Sequence, residues 1–300
     1  MIRHPDELSG WVLQVMQQTP DERLREIMVS LVSHLHAFVK DVRLSEDEFR
    51  AATALIARMG QLSDAKHNEV VLMAGSLGVS ALVCLLNHGA GGKEPTHHNL
   101  LGPFWRMHSP PTPNGGSLLR CATPGPAFHI SGQVLDPDGQ PVAGALVDVW
   151  HCAPTGLYEN QQAARDQGQV DMNLRGQFTT DEQGRFDCWS VKPIGYPIPE
   201  TEVVGRLLKA QGRHPMRPAH VHFLVFKEGF KTLISQVYDD SDPNCATDVQ
   251  FGITEATSAH WARHDEPCRA AVEPTTPWYS LDFCFELEQG PSRLPAPPIK

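Results

Sequence analysis

His220 and His222 lie two residues apart in the segment Arg217-Pro218-Ala219-His220-Val221-His222-Phe223. Side chains two apart on a β-strand point to the same face, so an extended segment here aims both imidazoles the same way. Two imidazoles on a rigid strand make half of a metal site. They are equally compatible with two polar residues on a solvated sheet face. The His-x-His pattern occurs in many metal-binding β-barrels, so by itself it does not identify the chemistry. Tyrosine is scarce, with only Tyr158, Tyr196, Tyr238 and Tyr279 in the chain. Tyr158 follows Thr155-Gly156-Leu157, and Tyr196 sits in Gly195-Tyr196-Pro197-Ile198-Pro199. Both contexts read as loops. A loop tyrosine ordinarily caps a core with its hydroxyl in water; a phenolate oxygen brought beside two imidazoles would instead be a hard metal ligand.

The elements that must position these groups fall into two regimes. The first part of the chain has helical periodicity. Thr19-Pro20-Asp21-Glu22 has the pattern of a helix start, with Thr19 as cap and Pro20 at the first helical position. Leu24, Ile27, Met28, Leu31, Leu35 and Phe38 then recur at helical spacing. Ser45-Glu46-Asp47-Glu48 reads as a capping box opening a helix with Phe49, Ala52, Leu55 and Ile56 on one face. A third helix, capped by Ser63 or Asp64, is predicted to run into the uncharged stretch Val70 to Leu86 and to stop at Gly89-Ala90-Gly91-Gly92. From about Leu101 the period becomes two. Strands are predicted at Phe128 to Leu135, Ala145 to Trp150, Ala219 to Phe226, Thr232 to Tyr238 and Trp278 to Leu287. Gln177 to Thr180 and Arg185 to Trp189, joined by Asp181-Glu182-Gln183-Gly184, read as a hairpin. The expected class is α+β: a helical region over 1–100, an antiparallel β-sandwich over 101–289 and a Pro-rich extended tail over 290–300.

Composition narrows the partners. The 300 residues carry a formal net charge of −10, which disfavours non-specific nucleic-acid binding. A local arginine can still hold an anionic substrate. Seven cysteines without a Cys-x-x-Cys argue against a disulfide framework or a thiolate zinc site and fit a reducing, cytoplasmic setting. The start, MIRHPDELSG, lacks the basic and apolar runs of a signal peptide. The uncharged stretch Val70 to Leu86 approaches the length of a membrane span, but Gly75, Ser76, Gly78 and Ser80 interrupt it, so a buried helix is the expectation. His97-His98 read as loop residues, Asp239, Asp240 and Asp242 as a solvated turn, and His151-Cys152 as a strand end without an orienting partner.

Several segments, in this order, resemble the intradiol ring-cleavage dioxygenases: Leu101-Gly102-Pro103-Phe104, Val147-Asp148-Val149-Trp150-His151, Gly156-Leu157-Tyr158, Asn173-Leu174-Arg175-Gly176, Lys192-Pro193-Ile194-Gly195-Tyr196-Pro197, Gly212-Arg213-His214 and Arg217 to Phe223. The resemblance implies a non-heme Fe(III) held by Tyr158, Tyr196, His220 and His222, one ion per subunit, with Tyr196 as the ligand that a catechol-type substrate displaces. Hard phenolate donors suit the ferric ion. It implies Arg217 as the group that stabilises charge on the activated ring, Gln236 as a hydrogen-bonding assistant, and O2 as co-substrate. It further implies a homodimer joined through the helical region, where family members often hold a phospholipid-like molecule.

Within the family, Tyr196-Pro197-Ile198-Pro199, Gly205-Arg206-Leu207-Leu208 and Gly212-Arg213-His214-Pro215 look like the branch that opens hydroxyquinol (benzene-1,2,4-triol) to 3-hydroxymuconate, which tautomerises to maleylacetate. That branch often carries an acid on the pocket helix where this chain has Gly75. Leu72, Gly75, Leu100 and Pro103 are the expected substrate-contacting residues. Cleavage of catechol to cis,cis-muconate is the alternative within the family. Outside it, a non-catalytic β-sandwich binding module would not need the tyrosines. An Fe(II) extradiol or cupin oxygenase would need a carboxylate beside the histidines.

Overall fold

The computed structural model describes residues 2–64, 68–87, 96–268 and 276–296. The chain forms two compact units, Met1–Arg58 and Met59–Lys300. The division into compact units falls inside a helix, and the last two N-terminal helices lie in the unit that carries the sheets. The Gly89-Ala90-Gly91-Gly92 breaker lies outside the described residues.

The first unit begins with α1 (Pro5–Met16), which sequence periodicity did not announce, and α2 (Glu22–Asp41). The two pack antiparallel-fashion side chains together: Lys40 pairs with Asp6 at 2.6 Å and His36 bonds Ser9 at 3.0 Å. Helix α2 starts two residues later than expected. Asp21, not Thr19, is its cap, accepting from Leu24 N–H at 2.7 Å, because a carboxylate at that place meets the orphan N–H groups directly. Helix α3 (Glu46–Leu62) opens on the expected box, with Ser45 N–H donating to Glu48 Oε2 at 2.8 Å and Glu48 N–H to Ser45 Oγ at 3.3 Å. Its apolar face is not buried in the single chain: Phe49 is 57% and Ile56 61% exposed.

In the second unit the uncharged stretch is two helices, α4 (Glu69–Ser76) and α5 (Val79–Asn87), which meet at 76°. Gly78, at φ +73°, takes the left-handed turn between them. Asn68 caps α4 through Val71 N–H at 3.0 Å, while Ser63 accepts from Glu69 N–H. The expectation of one buried helix is overturned. Val70, Val71, Leu77, Val79, Leu82 and Leu86 all face outward, since only one side of each short helix meets the sheet-bearing body. Among the described residues no single helix is long and apolar enough to cross a membrane.

The strands are β1 (Gly116–Ser117), β2 (Ala127–Leu135), β3 (Leu146–Trp150), β4 (Arg175–Thr179), β5 (Arg185–Val191), β6 (Tyr196–Pro197), β7 (Met216–Arg217), β8 (His220–Phe226), β9 (Leu233–Asp239), β10 (Ser258–Ala259), β11 (Ala262–His264) and β12 (Trp278–Glu286). Two short helices, α6 (Gln162–Asp166) and α7 (Val203–Ala210), interrupt them. One sheet has the order β1-β5-β2-β12-β11 and the other β10-β9-β8-β3-β4, with β6-β7 a separate ribbon. The sandwich is mixed rather than purely antiparallel: β1 with β5, β9 with β10 and β2 with β12 run parallel. The expected hairpin is also absent. The Asp181–Gly184 turn forms, with Asp181 N–H donating to Arg185 O at 3.0 Å, but β4 pairs with β3 and β5 with β2. The turn therefore carries the chain from one sheet to the other.

The core between the sheets contains Phe128, Ile130, Phe186 and Phe285 from one sheet and Val147, Val149, Val221, Phe223 and Val225 from the other. In β8 the alternation Val221, Phe223, Val225 fills this core, which leaves His220, His222 and Leu224 on the opposite face. That face is also covered, by a second cluster of Trp105, Trp150, Cys152, Tyr158, Tyr196 and Leu224. A strand buried on both faces must partner any polar side chain it carries. Near the described end of the chain, Gly229 N–H donates to Ser292 Oγ at 3.0 Å and Arg293 N–H to Thr232 Oγ1 at 3.2 Å.

Candidate active site

Register places the chemistry. On the second sheet, His222 stands opposite Trp150 on one side and Gln236 on the other, and His220 stands opposite Tyr238. The ribbon sets Tyr196 opposite Arg217. Gly195 allows that approach, because a Cβ there would lie 2.7 Å from Arg217 O and 3.0 Å from Asp242 Oδ2. Tyr158 is delivered by the loop after β3 and stacks on Phe104 with ring centroids 4.1 Å apart.

All four expected ligand side chains converge and are buried. Tyr158 Oη is 2.9 Å from His222 Nε2 and 3.4 Å from Tyr196 Oη. Two donors each about 2 Å from a common ion stand roughly 3–3.5 Å apart, so these separations suit a shared cation. His220 donates from Nδ1 to Pro218 O at 2.8 Å, which fixes the tautomer with the Nε2 lone pair directed inward. That Nε2 is buried without a hydrogen-bond partner among the described residues. An orphaned buried acceptor of this kind is what a metal site has before metal binds. Among the described residues no group of three His, Cys, Asp or Glu converges. A four-donor site here therefore requires the tyrosines, which counts against a site built from two histidines and a carboxylate.

Electrostatics agrees with this donor set. Burial, reinforced by Arg217, pushes His220 down to about 3. Burial, with His220 next, holds His222 well below its ordinary value. Both imidazoles are thus neutral, as ligands must be. Burial also raises Tyr158 well above, and Tyr196 above, the ordinary phenol value. Without a cation both phenols stay protonated; only a strong local positive charge would hold them as tyrosinates.

Arg217 lies beside them at the head of a network. Its Nε donates to Asp248 Oδ1 at 3.2 Å, and its Nη2 donates to Gln236 Oε1 at 3.0 Å and Tyr238 Oη at 2.5 Å. Its Nη1 has no partner among the described residues, although Arg217 lines the cavity. Burial alone would raise Asp248, but Arg217 and the Gly252 and Gln250 N–H groups outweigh it and lower the carboxyl. Gln236 is held at both ends, since its Nε2 donates to Leu100 O at 3.1 Å and its Oε1 also accepts from Tyr238 at 2.6 Å. Sequence reasoning missed Tyr238 and Asp248. Tyr238 was legible in part, being two residues from Gln236 and hence on its face; Asp248, in an irregular turn, gave no signal.

Tyr196, Arg217, Gln236, Leu72, Gly75, Leu100 and Pro103 line one cavity of about 1240 Å³, so the expected substrate residues are brought together. Other expectations change. Asp239 is buried and paired with Lys192 at 2.7 Å rather than solvated. Asp242 accepts from Ala219 N–H at 2.9 Å and so fixes the entry to β8. His151 does have partners, Cys152 O and Ser190 Oγ, each at 2.7 Å. His97 lies in irregular structure as expected and bonds Thr254 at 2.8 Å.

The Tyr158 loop has a buried anchor. Glu159 pairs with Arg175 at 2.8 Å and with Arg106 at 2.9 Å, and Glu159 and Arg175 are almost wholly buried. Removing one member of a buried pair strands the other charge and costs about 3–5 kcal/mol. Glu159→Ala is expected to lower stability by about that much, read as the midpoint of urea unfolding. A variant with the parental midpoint would mean the pair contributes nothing.

Comparison with known proteins agrees with this geometry. A family model described as "Dioxygenase" matches residues 102–272, and one described as "Catechol dioxygenase N terminus" matches residues 21–94. A hydroxyquinol 1,2-dioxygenase of Rhizobium sp. is 40% identical over 280 residues, covering 92% of each chain. A catechol 1,2-dioxygenase of Candida albicans is 35% identical, covering 88% of this chain and 86% of its own. The crystal structure of hydroxyquinol 1,2-dioxygenase from Pseudomonas putida DLL-E4 superposes with a TM-score of 0.85 at 31% identity, covering 95% of this chain and 99% of its own. The chain belongs to the intradiol ring-cleavage dioxygenases, enzymes that open a catechol-type ring between its two hydroxyl-bearing carbons.

Proposed function

We propose that this enzyme cleaves hydroxyquinol to 3-hydroxymuconate, the tautomer of maleylacetate, at one Fe(III) per subunit held by Tyr158, Tyr196, His220 and His222. The observation that carries the metal assignment is the convergence of two phenol oxygens with a neutral, partnerless His220 Nε2 in a buried pocket. Similarity to the Rhizobium and Pseudomonas hydroxyquinol enzymes supports the substrate. The Candida relative keeps catechol as the second reading.

A ferric ion bound there would supply the Lewis acidity that keeps a catechol-type substrate deprotonated and makes its ring open to O2. The chain's own residues do the rest. Phe104 and Trp150 stack on Tyr158 and His222 and keep those rings in place. Arg217, which lines the cavity, would stabilise the charge that grows on the anionic ring. Gln236 and Tyr238, which line the same cavity, also hold the guanidinium in place.

The helical segments support a homodimer as the working assembly. In the first unit Leu31, Leu35 and Phe38 are each about half exposed, and such apolar surface is characteristic of an interface. A phospholipid-like molecule against this apolar surface, and a cytoplasmic location, belong to the same reading.

The test is twofold. The purified protein should be red to burgundy from phenolate-to-iron charge transfer, and dithionite should bleach it. A colourless preparation with stoichiometric iron would sink the ligand assignment. O2 uptake, corrected for spontaneous hydroxyquinol oxidation, should give a higher kcat/KM for hydroxyquinol than for catechol; the reverse order would transfer the assignment to catechol.

A further inference from the structure

The cavity that Tyr196 and Arg217 line is also lined by Gly75 and by Gln250, a residue the sequence did not single out. Gly75, in α4, has no side chain, yet the space beside it is filled. A Cβ added at Gly75 would collide with Oε1 of Gln250, and the next nearest atom, Gln250 Cδ, lies 2.8 Å away. Gln250 therefore occupies the place that a side chain at position 75 would take. Both residues line the same cavity as Tyr196 and Arg217.

The carboxamide is held by both of its neighbours in the chain and across α4. Its Nε2 donates to Ser76 Oγ at 2.7 Å and to Leu72 O at 3.4 Å. A backbone carbonyl can only accept, so the nitrogen must be the end turned to Leu72. Oε1 is then the end that lies beside Gly75, in the cavity both residues line, and no described residue donates a hydrogen bond to it. Arg213 clamps the two segments from outside, donating to Ser76 O at 2.7 Å and to Val249 O at 3.0 Å. Gln250 N–H donates to Asp248 Oδ1 at 3.3 Å, the same oxygen that accepts from Arg217 Nε. One turn thus positions both the guanidinium and this acceptor.

We propose that Gln250 Oε1, standing in the space left by Gly75, accepts the hydrogen bond of the ring hydroxyl that hydroxyquinol has and catechol lacks. This rests on the reading of the cavity as the substrate pocket and names the residue that sets its preference. A phenol not bound to metal ionises near 10, so at neutral pH the third hydroxyl is a donor and needs an acceptor. Catechol presents a C–H at that position and leaves the amide oxygen dry and unpaired. A pocket built to bond a hydroxyl rejects the analogue without one for this reason. One neutral hydrogen bond corresponds to a discrimination of about tenfold.

The experiment compares wild type, Gln250→Met, Gln250→Glu and Gly75→Ala, each loaded to equal iron content, on hydroxyquinol, catechol and 4-methylcatechol. The readouts are kcat/KM from O2 uptake and the anaerobic Kd from the visible spectral change on binding. Gln250→Met keeps the bulk and removes the acceptor, so the ratio of hydroxyquinol to catechol should fall about tenfold in both readouts. The same variant should improve 4-methylcatechol relative to hydroxyquinol. Gln250→Glu keeps an oxygen in place and should retain the wild-type order. Gly75→Ala displaces the carboxamide without altering it and should lower the ratio as Gln250→Met does, which keeps the test valid if Gln250→Met fails to fold. A wild type that prefers hydroxyquinol, combined with variants that leave the ratio unchanged, overturns the role of Gln250 alone. A wild type that prefers catechol overturns the substrate reading and this inference with it.

Discussion

His220→Ala and His222→Ala should each purify nearly free of iron and without activity, while keeping the fold. Losing an outer partner of a ligand weakens metal binding about 10–100-fold; losing a ligand itself should exceed that. The residual phenols cannot compensate, because burial holds both of them protonated when the positive charge is absent. His220 has the clearer consequence. Its tautomer is fixed by Pro218 O, and its Nε2 has no other partner among the described residues. Its removal takes away a preformed lone pair rather than a side chain that must reorganise. Iron content by elemental analysis and absorbance in the visible should fall together. Stoichiometric iron with intact colour in His220→Ala would remove this residue from the proposed shell. Tyr158→Phe completes the series: it keeps the ring that stacks on Phe104 but loses the oxygen, so most of the colour should go.

How much of this could be read from the sequence depends on how far apart the interacting residues are. His220 and His222 were legible as a pair because strand geometry alone fixes their common face. The β-strands followed from alternation, and their limits agree to within a residue or two at β2, β3, β8, β9 and β12. Pairing was not legible in the same way. Asp181 to Gly184 has the composition of a hairpin turn, and the local chemistry of a turn is the same whether the two strands pair with each other or part. Only the packing of Phe178 and Phe186 in one core between two sheets decides that they part. The uncharged stretch misled for a related reason. Its lack of charge signals apolar surroundings, but composition does not distinguish a helix buried in its own fold from one with an exposed apolar side, and Val70, Val79 and Leu82 are of the second kind. At the site, the tyrosines could be placed only through family resemblance, since nothing local to Tyr158 or Tyr196 brings them within 3.4 Å of each other. Asp248 and Gln250 lie beyond both kinds of signal. They act across 31 residues on Arg217 and 174 residues on Ser76, from a turn whose own sequence is unremarked by periodicity.

Arg217→Ala should have the opposite signature to the histidine variants: iron and colour retained, turnover lost. Arg217 touches none of the proposed ligand atoms by hydrogen bond; its contacts are Asp248, Gln236 and Tyr238. Its role begins when an anionic ring enters the cavity, so its loss should appear in kcat, by about 100–1,000-fold if it supplies one preorganised charge contact to the transition state. Asp248→Asn separates presence of the charge from its placement. The guanidinium remains, and burial keeps the amide in position, but the carboxylate that fixes its plane is gone. Because the Asp248 carboxyl is lowered and Arg217 raised well above its ordinary value, the pair stays charged across the neutral range, and the parent should show no pH dependence from it there. Asp248→Asn should therefore reduce kcat by about 10–100-fold, the scale of a lost positioning partner, with substrate affinity changed less. Equal losses in Arg217→Ala and Asp248→Asn would mean that placement is the whole of the contribution. Normal turnover by Arg217→Ala at full iron content would withdraw Arg217 from the mechanism and leave the network as a structural brace between β7, β9 and the turn at Asp248.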